Sequence, residues 1–122
     1  MLSIPGTLKI FLAVAPADMR KSHDGLAALV EHALGADPLS GQLFVFRNKL
    51  ADRIKLLYFD GDGYALWYKR LEVGTFRFPA AGEHATRVAI TAADLTMLLA
   101  GVDLASVRRG KRYRRVEAAG GV

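Results

Sequence analysis

Three strand-like runs between residues 43 and 71 constrain the fold of this chain more than any other feature of its sequence. They cover residues 43–46, 53–59 and 64–71 and are rich in aromatic and aliphatic side chains. The segment Asp60-Gly61-Asp62-Gly63 separates the last two runs, and Asp-Gly pairs tolerate the positive φ angles of tight hairpin turns. The pattern predicts an antiparallel meander at the centre of the fold.

The chain before the meander predicts one strand followed by one helix. Residues 8–14 form a short apolar run typical of a strand. Residues 18–34 then carry apolar side chains at helical spacings of three and four, and Gly35 is a suitable C-terminal stop. Asp18 is placed to cap the start of this helix, and Ser22 is a second candidate. We expect this helix to pack on the sheet.

The chain after the meander predicts two short strands, at residues 75–78 and 87–90, and a short C-terminal helix. Thr91, with Asp94 three residues later, predicts a capping box at the start of that helix. The predicted fold class is therefore α+β: a single domain with an antiparallel sheet of about five strands, one main helix packed on it, a short C-terminal helix and a basic tail.

Few residues of this chain suit catalysis or metal binding. The absence of cysteine excludes thiolate zinc sites, thiol nucleophiles and disulfides. His23, His32 and His84 lack the spacing of metal ligands, and turn geometry alone explains Asp60 and Asp62. The chain also lacks a phosphate-binding glycine loop and a nucleophile elbow. We expect no catalytic residue, no metal ion and no cofactor, and hence a protein that is not an enzyme.

The net charge of +5 is concentrated at the C-terminus. Residues 1–107 contain 11 basic and 11 acidic residues and are expected to form the folded domain, whereas residues 108–122 are expected to form a basic, flexible tail. Six basic residues of the tail suit contact with DNA phosphates, which gives affinity without sequence specificity: Arg108, Arg109, Lys111, Arg112, Arg114 and Arg115. The alternative is a solvated tail that keeps a neutral domain soluble.

A second set of basic residues lies within the domain. Arg20 and Lys21 precede the main helix, and Lys69 and Arg70 follow Trp67 on the third strand of the meander. On the strands, basic residues such as Arg53, Lys55, Lys69 and Arg70 interleave with aromatic ones such as Trp67 and Tyr68, and such a mixed sheet face can form a stacking and phosphate-binding platform for nucleic acid. Alternatively, the aromatic rings pack under helices and the basic side chains reach solvent. We favour core packing for four other apolar residues of the sheet: Phe44, Phe46, Leu56 and Leu66.

Six ordered fragments carry a resemblance to a known family: ADMRK at 17–21, DGLAALV at 24–30, LSGQLFVF at 39–46, DRIKLL at 52–57, DGDG at 60–63 and LWYKRLEVGTF at 66–76. In this order and spacing they resemble the small TnpB accessory proteins of the insertion-sequence-66 family of bacterial transposons. Ser22 and His23 depart from that pattern, because the family more often has glycine and an aromatic residue at these positions.

The resemblance implies a non-catalytic accessory protein of DNA transposition, encoded beside a larger transposase. The partners expected are that transposase and DNA, with self-association left open. DNA would bind through the tail, helped by Arg20, Lys21, Lys69 and Arg70. The alternative is a protein-protein interaction module that docks the transposase, through the sheet or the Leu95 and Leu99 helix face, without direct DNA contact. We expect a cytoplasmic protein and no membrane contact, since no apolar run approaches the ~20 residues of a membrane helix.

Overall fold

The computed structural model describes residues 8–101, which form a mixed five-stranded sheet with one helix on each face. In chain order the elements are β1 (Ile10–Ala13), α1 (His23–His32), β2 (Leu43–Arg47), β3 (Arg53–Phe59), β4 (Tyr64–Arg70), β5 (Arg87–Ile90) and α2 (Ala92–Leu99). The predicted α+β single-domain fold is thus confirmed. The tail at 108–122 and the predicted boundary after residue 107 lie outside the described residues.

The strands lie in the order β4-β3-β2-β1-β5. The predicted meander is confirmed, because β2, β3 and β4 are consecutive antiparallel neighbours. β5 pairs antiparallel with β1 at the other edge, but β1 and β2 pair in parallel. This one pairing differs from the antiparallel sheet expected. Its cause is α1, which carries the chain back to the end of the sheet where β1 began, so that β2 runs in the same direction as β1.

The two faces of the sheet bury different apolar cores, because successive side chains of a strand point to opposite sides. The face covered by α2 buries Ile10, Leu12, Leu43, Val45, Ile54, Leu56, Phe76, Ile90, Leu95 and Leu98. The face covered by α1 buries Ala13, Leu26, Ala27, Val30, Leu34, Phe44, Phe46 and Leu57. Three of the four predicted core residues of the sheet, Phe44, Phe46 and Leu56, are therefore buried, and Leu66 is half-buried.

The main helix α1 is shorter than predicted. It begins at His23, with Ser22 at the N-cap position but no side-chain capping bond. Asp18 does not cap it, because its carboxylate accepts a hydrogen bond from the Arg20 backbone N–H at 2.9 Å and bonds the Arg20 side chain as well. Gly35, with φ of 64°, follows the helix and supplies the left-handed residue expected at its C-terminal side.

Residues 75–78 do not form the predicted strand. Phe76 is only 2% exposed and is part of the core beneath α2. Its backbone N–H donates to the Ala51 carbonyl oxygen at 2.7 Å, which is a loop contact rather than a ladder bond. The prediction was wrong because the apolar residues of this segment fasten a loop to the core instead of pairing with a strand.

The C-terminal helix α2 has the predicted capping box. The Thr91 side chain accepts from the Asp94 N–H at 3.0 Å, and the Asp94 carboxylate accepts from the Thr91 N–H at 3.2 Å. Leu95 is fully buried and Leu99 is half-buried against the same core, so the helix face suggested for docking a transposase lies largely inside the domain.

Replacing Thr91 with alanine should lower the free energy of unfolding by about 1 kcal/mol, because the N–H of Asp94 loses its acceptor. Urea denaturation followed by circular dichroism measures the effect. Thr96→Ala is the control, since this exposed hydroxyl only bonds the Ala92 carbonyl within the same helix. Equal losses for the two variants would contradict a capping role for Thr91.

Candidate nucleic-acid interface

The predicted DNA-contacting residues divide into two groups. Arg108, Arg109, Lys111, Arg112, Arg114 and Arg115 lie outside the described residues. Arg20, Lys21, Lys69 and Arg70 lie within them, and the sheet determines which of these four can act together.

Lys69 and Arg70 extend to opposite faces of β4, since they are consecutive in a strand. Lys69 is half-buried on the α2 side, and its Nζ lies 3.5 Å from the Leu99 carbonyl oxygen at the C-terminal end of α2. A positive charge is favourable at that end of a helix. Lys69 is therefore engaged within the domain and separated from Arg70.

Arg70 lies directly opposite Arg53 of the neighbouring strand, on the α1 side of the sheet. The adjoining Leu71 N–H donates to the Asp52 carbonyl oxygen, so Arg53 and Arg70 occupy a non-hydrogen-bonded position, where cross-strand side chains approach most closely. Like charges placed in this way are destabilising. Glu72 offsets the charge of Arg70 with an exposed ion pair at 3.3 Å, and Arg53 has no acidic partner among the described residues. A net positive charge therefore remains at this position of the sheet.

Tyr68 occupies the next position of β4 on the same face and lies opposite Lys55 of β3. Its side chain is 48% exposed, so the ring is accessible to a ligand. The Lys55 Nζ lies 4.8 Å from the ring centroid, a distance at which a cation is attracted to an aromatic face. An exposed ring therefore lies beside the paired arginines.

Lys55 connects this part of the sheet to the segment that precedes α1. It is only 7% exposed, and its Nζ donates to the carbonyl oxygens of Met19 at 2.8 Å and Lys21 at 2.7 Å. The two bonds hold the residue 19–21 segment against the Tyr68 side of the sheet. We call the resulting surface the basic-aromatic patch, which consists of Arg20, Lys21, Arg53, Tyr68 and Arg70.

An exposed carboxylate neutralises part of the patch. Asp18 and the Arg20 guanidinium form an ion pair at 2.8 Å. The side-chain hydrogen bond from Arg20, followed by the Arg20 backbone N–H, lowers the pKa of Asp18 from 3.8 to about 2. The same side-chain bond raises the pKa of Arg20. Arg20 is thus the most compensated cation of the patch.

The sequence matches the family described as IS66 Orf2-like proteins over residues 8–109, which include every described helix and strand. The chain belongs to this family. Membership places it among the accessory proteins of transposition, and the predicted resemblance is confirmed.

Two relatives of this IS66 Orf2-like protein come from Sinorhizobium fredii. The uncharacterized protein y4jC is 42% identical over 102 residues, which are 84% of this chain and 86% of y4jC. The uncharacterized protein y4hO is 38% identical over 103 residues, which are 84% of this chain and 88% of y4hO. No solved structure matches the chain.

Arg53 and Tyr68 belong to the patch, although only Lys69 and Arg70 of the sheet's basic and aromatic residues are predicted from the sequence to contact DNA. The signal that could have found them is the hairpin turn, where the Asp60 N–H donates to the Gly63 carbonyl oxygen. Counting outward from that pair places Arg53 opposite Arg70. The position of the turn therefore predicts the pairing of Arg53 with Arg70 from the sequence.

In this IS66 Orf2-like protein, the acidic and histidine residues that are candidates for catalysis either have a structural role or lie outside any metal-binding cluster of residues 8–101. Gly61, with φ of 106°, supplies the left-handed residue of the Asp60–Gly63 turn. Across residues 8–101, no three His, Asp or Glu side chains are grouped so that they could hold a metal ion. In the same range, no helix is long and apolar enough to cross a membrane.

Replacing Lys55 with methionine should lower the free energy of unfolding by about 2 kcal/mol, because the Met19 and Lys21 carbonyls lose a charged donor. Chemical denaturation measures the change. Lys49→Met is the matched control at an exposed lysine, and its effect should stay within about 0.5 kcal/mol. A Lys55 variant as stable as the control would show that the two bonds contribute nothing.

The Asp18 carboxyl should titrate near pH 2 in the folded protein, since its pKa is lowered to about 2. Because the folded pKa lies below the ordinary 3.8, the stabilisation is complete above about pH 4 and is lost as the pH falls toward 2. NMR titration of the carboxyl carbon measures this pKa. Arg20→Gln should return it toward 3.8, whereas Lys21→Gln should leave it low, because Arg20 supplies the larger effects. A pKa unchanged by Arg20→Gln would exclude the proposed cause.

Proposed function

We propose that this protein is a non-catalytic accessory protein of DNA transposition that binds DNA through the basic-aromatic patch and the tail from Arg108 to Arg115. The observation that carries the proposal is the close pairing of Arg53 with Arg70 on the sheet. An arrangement of two like charges that is unfavourable by itself becomes favourable when a phosphate lies between them. Family membership supplies the context of transposition.

The patch offers the two kinds of contact that nucleic acids use. Guanidinium groups such as those of Arg53 and Arg70 bind phosphate oxygens through two parallel hydrogen bonds. The exposed ring of Tyr68 can stack on a base, and such stacking tolerates any base. Lys21 adds charge at the edge of the patch. Binding of this kind depends on backbone charge and base stacking, so it selects nucleic acid without selecting a sequence.

The tail adds a second, electrostatic contribution. Its six basic residues account for the whole net charge of +5 once Glu117 is subtracted. In this proposal residues 1–107 form the domain that carries the patch, and residues 108–122 extend the contact along the DNA backbone. Lys69, which is engaged with α2, contributes through long-range charge rather than direct contact.

The protein associates with the transposase of the same element in this proposal, and it acts in the cytoplasm, where that element is transposed. Family membership supports a partner in the transposition machinery.

Two exposed apolar side chains favour a docking function as the second candidate: Leu50 is 74% exposed and Val73 is 90% exposed. Their loops are joined by the bond from the Leu71 N–H to the Asp52 carbonyl oxygen, so both residues lie at one end of the sheet.

DNA affinity measured against salt concentration tests the proposal. We expect the full chain to lose affinity steeply with salt, and removal of residues 108–122 should reduce the magnitude of the log-log slope by about 5, as for six phosphate contacts. The double variant Arg53→Gln, Arg70→Gln should reduce it by about 2. Fluorescence anisotropy with labelled DNA gives both values, and circular dichroism checks that each variant is folded.

Lys9→Gln is the matched control, because this exposed lysine precedes β1 at the opposite end of the sheet from Arg53. It should leave the slope almost unchanged. If the tail deletion and the double variant bind DNA as tightly as the full chain at every salt concentration, DNA binding by these residues is excluded. Retained binding to the transposase by the same variants would then favour the docking function.

A further inference from the structure

The strand β4 forms an open edge of the sheet. Among the described residues it pairs only with β3, through an uninterrupted register of seven residue pairs. None of its residues is buried, in contrast to β2, where four of five are. The first five residues, Tyr64-Ala65-Leu66-Trp67-Tyr68, carry no charge, and the strand has neither proline nor a bulge. Proteins usually protect an edge of this length and composition from pairing with another chain.

The backbone of β4 has a defined set of outward-facing groups. Asp60 bonds Gly63 and Leu71 bonds Asp52, so hydrogen-bonded pairs occur at both ends of the β3-β4 ladder. Because such pairs alternate along an antiparallel ladder, Ala65, Trp67 and Lys69 bond β3 through their backbones. The backbone N–H and C=O groups of four residues therefore point to the open edge: Tyr64, Leu66, Tyr68 and Arg70.

The charges beside this edge are polarised along the strand. Lys69 and Arg70 lie at its C-terminal end, where Glu72 offsets part of the charge of Arg70, and Asp60 and Asp62 lie in the turn that precedes its N-terminal end. Both carboxylates are exposed, and neither forms an ion pair with another described residue. A parallel neighbour of the same sequence would place like charges together. An antiparallel copy would place opposite charges together, so the edge is complementary to itself.

We propose that two copies of this protein associate by antiparallel pairing of β4 with β4, with the two-fold axis beside Leu66. In this register Leu66 lies opposite its own counterpart, and Tyr64 lies opposite Tyr68 of the second copy. Asp62 and Arg70 then face each other twice. The outward backbone groups of both copies are paired, and two five-stranded sheets become one continuous sheet.

This inference goes beyond the proposed function and does not depend on DNA. It does have a geometric consequence for the patch. Tyr68 and Arg70 belong both to the patch and to the open edge, so pairing at β4 places the two patches on the same face of the joined sheet, one toward each end of the paired strands. The dimer would present two separate patches on one face, each with Asp62 of the second copy beside its Arg70.

The backbone part of the proposal is tested by replacing Leu66 in the full chain, in the absence of DNA. Leu66→Pro removes an N–H that points to the open edge and takes no part in the β3 ladder, and proline is tolerated on the free side of an edge strand. Leu66→Ala is the matched control, because it loses the same packing but keeps the N–H. Analytical ultracentrifugation should show a dimer for the wild type and the alanine variant, and a monomer for the proline variant.

The charge complementarity of the proposed dimer is tested by exchanging the charges of Asp62 and Arg70. Asp62→Arg and Arg70→Asp should each raise the dimer dissociation constant by about tenfold, since each breaks two symmetric contacts, and the double exchange should restore it. Asp62 lies in an exposed turn, so its variant reports on association without disturbing the core. A wild type that stays monomeric up to roughly 0.5 mM would overturn the proposal. So would a dimer that survives Leu66→Pro, or single charge variants that dimerise as well as the wild type.

Discussion

The hydrogen bonds of the buried Lys55 amine are the interaction on which the arrangement of the basic-aromatic patch depends. Burying a charge is costly unless hydrogen bonds replace the lost water. Here the Met19 and Lys21 carbonyls and the Tyr68 ring surround the amine. Both carbonyls belong to the connection between β1 and α1, so Lys55 fastens this connection to β3 just before α1 begins. The position of the residue 19–21 segment in the patch follows from these two bonds.

Much of the fold was predictable because its signals are local. The meander, the Asp60–Gly63 turn and the Thr91 capping box each rest on neighbouring residues, and the structure contains all three. The parallel pairing was not predictable in this way, because it depends on how α1 returns the chain. Phe76 gave a misleading signal for a related reason. An apolar residue that anchors a loop resembles a strand residue until its partner, Ala51, is known.

The candidate site was harder to predict from the sequence than the fold, because it too depends on residues that are distant in the chain. Composition pointed to Lys69 and Arg70 as one basic pair, but a strand sends adjacent side chains to opposite faces, and only Arg70 reaches the patch. The relevant pair is Arg53 with Arg70, which are distant in sequence and adjacent in register. The family match ends at residue 109, so it covers the whole patch but only the first two basic residues of the tail. The patch is thus part of the region shared with the family, and most of the tail lies beyond it.

The position of Trp67 gives the protein a built-in optical reporter. It is the single tryptophan of the chain, and it lies at the centre of β4, half-buried against the α2-side core. Indole emission responds to the polarity around the ring, so the tryptophan fluorescence of this protein comes from the strand that borders both the paired arginines and the open edge. Binding at the paired arginines or pairing at the open edge can therefore be followed by the emission of Trp67 on the unlabelled, unmodified chain.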